Sequence, residues 1–297
     1  MSLETTYRQA NAPVVRNIVL ALQKRIGRQR LRQIVLGSLP FLALLAMWEA
    51  NTRMGWLPPV LLPPLSDVVG AIGTLQSGCP GLWAAVEGHY GCQMSNNVIA
   101  SVGRMMLAAA IGLPLGIVCG ILAGMNRTVS KLLQPIGLFA NSISGIAWIP
   151  LAIVWFGIGW VTTLFIMLNT IFWLLFFNAM LGVRGVSRIY EQSVLTMGGS
   201  RWNVIWQVYL PGAMPSIITG IRMAMGFGWR ALIAAEMIGG NSGLGFMIFA
   251  SAQEFKMEEV ILGVIAIAII WLATDKWILQ PLERWTTRRW GLVWIPP

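Results

Sequence analysis

Residues 98–124 read VIASVGRMMLAAAIGLPLGIVCGILAG. The stretch holds one charged side chain, Arg104. An α-helix rises about 1.5 Å per residue, so about 20 apolar residues cross the ~30 Å hydrocarbon core of a bilayer. This segment is long enough to do so and too apolar to turn any face to water. Its glycines and its proline would weaken a soluble helix but are ordinary in a membrane helix.

Five further stretches share this character: Ile34 to Ala50, Leu132 to Gly157, Val161 to Val183, Gly212 to Met237 and Val260 to Leu279. Together they predict an all-α integral membrane protein with about six transmembrane helices. The composition of the 297 residues agrees, with 56% hydrophobic and 11% charged side chains, against about 25% charged in a soluble domain. That excludes an ordinary water-soluble enzyme and a disordered chain. Three cysteines exclude a disulfide-dense scaffold. The first span follows a basic stretch and has no small-residue cleavage site after it, so it reads as an anchor rather than a signal peptide.

The charges are sorted along the chain. Arg8, Arg16, Lys24, Arg25, Arg28, Arg30 and Arg32 precede the first span; Arg127 and Lys131 lie between the second and third. Arg184, Arg188 and Arg201 lie between the fourth and fifth, and Lys276, Arg284, Arg288 and Arg289 are at or after the end of the sixth. Sixteen of the 21 Lys and Arg thus fall on one side, while the opposite loops hold only Arg53 and Lys256. The positive-inside rule then predicts cytoplasmic termini in a multi-pass protein of the inner or plasma membrane. The net charge of +10 is accounted for by topology and by attraction to anionic lipid. No nucleic-acid reading module is present in the sequence, so no nucleic-acid partner is expected. The expected organisation is a basic cytoplasmic arm (1–33), a transmembrane domain (34–280) and a cytoplasmic tail (281–297).

Two loops stand out. The outer one, about 51–97, opens with Leu57-Pro58-Pro59-Val60-Leu61-Leu62-Pro63-Pro64, which cannot be helix interior. Ser66 and Asp67 then offer an N-cap for a short amphipathic helix, Val68 to Leu75, lying at the membrane surface. Cys79 and Cys92 flank the rest of the loop on the expected external side, where they are either a disulfide or two separate thiols. His89, the one histidine, has no metal-ligand spacing around it, and no metal site is expected. Cys119 reads as a packing residue in the second span. The inner loop from Gly185 to Pro211 reads GVSRIYEQSVLTMGGSRWNVIWQVYLP. Short amphipathic segments broken at Gly198-Gly199 and stopped at Pro211 are expected there. They are too polar to span and too apolar to be free in water, so they dock either on a partner or on the lipid surface.

The sequence lacks an enzyme's apparatus. None of Lys24, Lys131, Lys256 and Lys276 follows a glycine, so there is no phosphate-binding Gly-Lys-Ser/Thr loop. Gly239-Gly240-Asn241-Ser242-Gly243-Leu244-Gly245 looks like a phosphate cradle but follows a span, and is expected to be a flexible turn. Charges inside the spans carry more, because each is costly there and is either paired or functional. Arg104 reads as snorkelling to the outer interface or as facing a route. In the fifth span Arg222 and Arg230 are about 80° and ~12 Å apart, and Arg222 and Glu236 share a face but lie about 21 Å apart. None pairs along its own helix, so each needs a partner on another helix, water or an ionic solute. Arginines along a water-filled route favour an anion. Arg222 reads equally as an interhelical pair or a solute contact, and Arg230, lying deepest, is the leading pathway candidate. Trp229, Trp148, Trp155 and Trp173 are candidates to line that route or to pack.

At this point a resemblance enters. Gly198 through Pro211, followed by TGIRMAMGFGWRALIAAEMIGGNSGLGFMI (residues 219–248), is similar to the permease subunit of a type I ABC importer, in the nitrate, taurine, alkanesulfonate and bicarbonate branch. IAWIPLAIVWFGIG (146–159) and Leu45-Ala46-Met47-Trp48-Glu49 with the Pro-rich run after it resemble the same branch. The family's cytoplasmic signature is Glu-Ala-Ala, three residues, Gly, nine residues, Ile, one residue, Leu-Pro. Set on Leu210 and Pro211, it places the Gly on Gly198 and the Ile on Val208. Its Glu falls on Gln192, with Ser193 and Val194 in place of the alanines, and Glu191 one position early. The resemblance implies that Gln192, Gly198, Gly199, Ser200, Arg201, Leu210 and Pro211 form the segment that couples to an ATPase. Within the spans, Arg230, Arg222, Glu236, Arg104 and Trp229 are the candidates along the translocation pathway. The resemblance also implies two permease copies, as a homodimer, an external solute-binding protein, and ATP with Mg used by a separate ATPase while this chain binds no cofactor. The stretch Trp229 to Glu236 and the tail Pro281-Leu282-Glu283-Arg284 are closer to the taurine and sulfonate subset, with nitrate or bicarbonate the runner-up. A stand-alone channel or carrier is the competing class and leaves the docking loop unexplained. A membrane-embedded enzyme would need a catalytic cluster that the sequence does not offer.

Overall fold

A computed structural model describes residues 39–40, 42–55, 58, 61–75 and 93–290 of the chain. Backbone contacts divide the chain into two compact units, Met1–Leu65 and Ser66–Pro297. In the first, residues 39–40 and 42–54 are helical (α1). Trp48 Nε1 donates to the Pro63 carbonyl at 2.9 Å, and Arg53 Nε donates to Glu49 Oε1 at 2.9 Å one turn back. Only part of the expected first span, Ile34 to Ala50, falls within the described residues.

The second unit is helical throughout its described length. In chain order it contains α2 (Leu65–Leu75), α3 (Gln93–Met125), α4 (Arg127–Ser142), a 3₁₀ turn (Gly145–Trp148) and α5 (Ile149–Phe156). Then come α6 (Trp160–Arg184), α7 (Arg188–Thr196), α8 (Arg201–Val204), a π turn (Ile205–Tyr209) and α9 (Leu210–Gly239). It closes with α10 (Leu244–Gln253), α11 (Met257–Thr274), a second π turn (Asp275–Leu279) and α12 (Gln280–Trp290). Among these residues four helices are long and apolar enough to cross a membrane: Gln93–Met125, Trp160–Arg184, Arg201–Gly239 and Met257–Arg284. The bent pair α4 and α5 makes a fifth if counted as one span.

The core is a three-helix sandwich with α6 in the middle, packed against α3 and α9. Gly112, Gly116, Gly120 and Gly124 recur every fourth residue along α3 and meet Ile171, Leu175, Ala179 and Val183 of α6. A side chain at Gly120 would come within 2.6 Å of Ala179 Cβ and of the Phe176 carbonyl oxygen. Small residues at this spacing let two backbones approach closely where lipid supplies no hydrophobic drive between helices. The buried cluster they seal includes Met105, Met167, Ile171, Ala224, Trp229 and Leu232. Large apolar side chains such as Val154, Ile158, Leu132 and Leu272 are exposed on the outside, as a surface facing hydrocarbon requires and a soluble protein avoids.

Two expectations need correction. The third span, expected as one helix from Leu132 to Gly157, is two helices bent by 92°. Ile143 at the break is extended, with φ −87° and ψ 121°, and Ile143 and Ser144 are the non-helical residues between α4 and the 3₁₀ turn. Gly145 lies so close to α6 that a Cβ would sit 2.9 Å from Thr170 Oγ1. Pro150 then enters in the first turn of α5, where its missing N–H costs nothing. The second correction concerns Pro211. It was expected to stop the inner segment, yet the helix runs from Arg201 through to Gly239. The π turn at Ile205–Tyr209 resets the hydrogen-bond register, and Pro211 falls in the opening turn of α9, where a proline is tolerated.

Candidate functional site

The two ends of the helix bundle carry different chemistry. At the end holding Gly240, Asn97, Ser101 and Arg104 lie three and four residues apart on α3, on one face. The face meets the end of α9 and the short loop beyond it. Glu236 is fully buried. Arg104 Nη1 donates to Glu236 Oε1 at 2.7 Å and to the Ser242 carbonyl at 2.7 Å, while Nη2 donates to Ser242 Oγ. Ser101 Oγ donates to the Glu236 carboxylate at 2.8 Å and accepts from Leu244 N–H at 2.8 Å. Gly245 N–H donates to Glu236 Oε2 at 3.1 Å, and Gly243 N–H donates to Asn97 Oδ1 at 2.8 Å. A carboxylate holding one guanidinium, one hydroxyl and one backbone N–H has its charge compensated and its lone pairs used, which is what a buried ion pair requires.

The glycine-rich run is therefore not the flexible turn expected from the sequence. Gly243 has φ +108°, and a Cβ there would lie 2.3 Å from the Glu236 carboxyl carbon. A Cβ on Gly245 would lie 2.4 Å from the Ile233 carbonyl oxygen. The run does cradle an anion, but the anion is a side chain of this same protein. Of the alternatives open to these charges, Arg104 and Glu236 take a partner on another helix, and Arg104 does not snorkel to the interface. They are sealed against each other because neither can be left unpaired in a dry interior. Trp229, a third pathway candidate, packs in the core at 3% exposure. Among the described residues its Nε1 and that of Trp148 have no hydrogen-bond partner.

The opposite end holds Gly198. Ser187 caps α7 by accepting from Ile189 N–H, and Ser200 caps α8 by accepting from Asn203 N–H. Between the two helices the chain turns at Gly198, φ +82°, a conformation that favours glycine. Gly199 N–H donates to the Val194 carbonyl at 2.9 Å, and a Cβ on Gly199 would lie 2.6 Å from Val194 Cγ1. Gln192, Ser200 and Arg201 are exposed, while Leu210 and Pro211 are half-buried where α9 begins. The loop also exposes Ile189, Tyr190, Met197, Trp202 and Trp206, a concentration of large apolar groups on a segment that is itself polar. Glu191 Oε2 accepts from Tyr209 O–H at 2.8 Å, tying α7 to the π turn.

The two remaining arginines of α9 are exposed. Arg222 pairs with Asp275 at 3.1 Å and with Glu283 at 2.9 Å, which gives it the interhelical partner that was one of its two readings. Arg230 has no carboxylate partner among the described residues; its guanidinium lies over the Phe227 ring, 5.4 Å from the centroid. Cys79, Cys92 and His89 fall outside the described residues. Among the described ones no group of three His, Cys, Asp or Glu is placed to hold a metal ion.

Residues 112–274 match the family described as the binding-protein-dependent transport system inner membrane component. The chain belongs to that family. It is a multi-pass permease subunit of an ABC importer, which sets aside the stand-alone channel and the membrane-embedded enzyme. The permease is 35% identical to the taurine transport system permease protein of Escherichia coli (strain K12), over 80% of this chain and 84% of that one. It is 35% identical to the bicarbonate transport system permease protein of Synechococcus elongatus, over 64% and 68% of the two chains. A nitrate import permease of Leptolyngbya laminosa is 31% identical over 58% and 60%. The permease's Asn97, Ser101 and Ser242 were not singled out from the sequence. The spacing Asn97, Ser101, Arg104 on one helical face was the available signal, and it needed Glu236 across the bundle to give it meaning.

Proposed function

We propose that two identical copies of this chain line the translocation path of an ATP-driven importer for a small anion, with taurine or another organic sulfonate as cargo. The observation that supports this most is the 35% identity to a taurine permease over four-fifths of the chain. The solutes named for its relatives, taurine, bicarbonate and nitrate, share oxygen atoms that accept hydrogen bonds and carry negative charge. Arg230, exposed and without a carboxylate, is the cation of this chain best suited to attract them. Arg222, already held by two acidic groups, serves as the structural brace at the other end of α9. The bicarbonate permease, equal in identity over a shorter stretch, supports bicarbonate or nitrate as the second reading.

In this mechanism an external binding protein delivers the solute at the Gly240 end. Each copy seats its Gly198-centred loop, through Met197, Trp202 and the capped starts of α7 and α8, on a separate ATPase. ATP and Mg act there. The Gly198 end and both termini face the cytoplasm, in keeping with Arg127, Lys131, Arg184, Arg188 and Arg201 at that end. Nucleotide binding in the ATPases moves the two loops together and swings the spans; hydrolysis returns them.

The test is reconstitution of the complete importer in vesicles. ATPase stimulation is measured with the binding protein loaded with taurine, alkanesulfonates, bicarbonate or nitrate in turn. Stimulation and uptake with a sulfonate support the reading, stimulation by bicarbonate or nitrate alone transfers it to the second, and stimulation by none overturns it. Co-purification provides a cheaper check, since a permease that comes out of its native membrane with no ATPase subunit contradicts the coupling scheme.

A further inference from the structure

The break in the third span opens a cavity of about 350 Å³ lined in part by Asn141, Ser144, Asn169, Thr170, Trp173 and Phe227. That volume sits at the small end of the ~300–1,000 Å³ found for ligand pockets. Asn169 and Thr170 lie near the middle of α6, about 15 Å and ~21 Å from its two ends at about 1.5 Å per residue. The cavity is therefore near the centre of the spanning region. Non-helical backbone is tolerated at that depth only where it is buried in protein or lines a water-filled space. Asn141 and Ser144 are exposed on the chain's surface, and polar groups there cannot face hydrocarbon without cost.

The hydrogen-bonding capacity of the lining is directional. Asn169 Oδ1 accepts from Trp173 Nε1 at 3.1 Å, so the amide offers its NH₂ donor. Among the described residues Ser144 Oγ neither caps the turn that follows it nor donates to a neighbour, so its O–H is available to give. Asn141 adds a second amide. Thr170, by contrast, has its O–H committed to the Ile166 carbonyl at 2.9 Å. None of the lining residues carries a charge. Arg230 lies over the ring of Phe227, itself part of the lining.

Resting on the anion-importer reading above, we propose that this cavity is a transient station for the oxyanion group of the cargo. Asn141, Ser144 and Asn169 donate to its oxygens while Arg230 supplies the attraction that brings it in. Neutral donors suit a station on a route, because a site that must also release its occupant cannot bind it as a buried charge pair would. The kink is then functional: it removes a helical turn so that side chains from both sides of the break and from α6 converge on one space.

The test uses the reconstituted complete importer with taurine-loaded binding protein, reading uptake and ATPase stimulation separately. Asn141→Ala/Ser144→Ala should lower uptake at least about tenfold while ATPase stimulation persists, since each hydrogen bond to a charged group is worth roughly a factor of ten or more. Asn141→Ala/Ser144→Thr should recover part of the loss seen in the double alanine variant, because it returns a hydroxyl. Thr219→Val, which removes a hydroxyl outside the cavity that is committed to the Pro215 carbonyl, should leave uptake unchanged. Unchanged uptake in the double alanine variant overturns the proposal, as does equal loss in Thr219→Val. Loss of ATPase stimulation together with uptake in an assembled complex also overturns it, because the break would then serve coupling. A wild-type importer that carries no anion sinks the functional reading instead, so the two failures are distinct.

Discussion

The Gly240 end and the Gly198 end of the bundle use polar residues in opposite ways. At the Gly240 end a polar network points inward: Arg104 and Glu236 are buried, and Asn97, Ser101 and Ser242 close the network around them. At the Gly198 end Gln192, Ser200 and Arg201 point outward, with Met197 and Trp202 exposed among them. The first arrangement joins α3, α9 and the loop into one body. The second leaves a finished local fold, capped by Ser187 and Ser200, presenting a surface with no partner among the described residues. One end holds its own shape; the other, on the proposed reading, is held by an ATPase.

The largest effects should come from the buried pair. Glu236→Ala strands Arg104 in a dry interior and should destabilise the permease by about 3–5 kcal/mol, read as thermal unfolding in detergent through tryptophan fluorescence. Arg104→Met/Glu236→Leu removes both charges and should recover a good part of that loss. If the single and double variants unfold alike, the ion pair is not what joins the end together. Gly243→Ala comes next. The new Cβ would overlap the Glu236 carboxyl group, and a positive φ adds roughly 1–3 kcal/mol of strain. Equal stability of Gly243→Ala and the parent chain would show that the loop gives way easily, and the contrast between the ends would weaken.

The sequence carried these two ends unequally. The apolar spans were legible because hydrophobic length alone decides them, and α3, α6 and α9 fall within a few residues of their expected bounds. The turn at Gly198 was legible because a glycine between two short amphipathic segments is a local signal, and its φ of +82° is one that glycine favours. The Arg104–Glu236 network was not legible, because its members are separated by more than 130 residues and only the packing of α3 on α9 brings them together. The break at Ile143–Ser144 was hidden for another reason. Its apolar flanks satisfy a length criterion across the kink, and the criterion has no view of direction. Glu191 was seen only as a misplaced acid, whereas its bond to Tyr209 depends on a π turn that no periodicity announces.

A third prediction moves to the Gly198 end and separates stability from coupling. Met197, 79% exposed, touches little within the chain, so Met197→Asp should change unfolding by no more than about 0.5 kcal/mol. In the complete importer the same change places a charge where an apolar surface is to be covered. ATPase stimulation should fall about tenfold or more, the scale of a residue central to an interface. A variant that unfolds early, or one that couples normally, would contradict the division of labour between the ends.

The smallest effect is expected at Arg222, and its smallness is informative. Arg222 is an arginine on the same helix as Glu236, with two carboxylates in reach rather than one. Counting carboxylates would rank it above Arg104. Exposure reverses the order: its side chain is 45% accessible, against 8% for Arg104. A pair that open to solvent contributes about 0–1 kcal/mol and is screened by salt. Arg222→Ala should therefore shift thermal unfolding by less than about 1 kcal/mol, with the difference shrinking as ionic strength rises, while Arg104→Ala shows a large loss that salt barely alters. Should the two arginines prove equally costly, Arg222 is enclosed in the working assembly, and the second copy of the chain or the ATPase must cover Asp275 and Glu283.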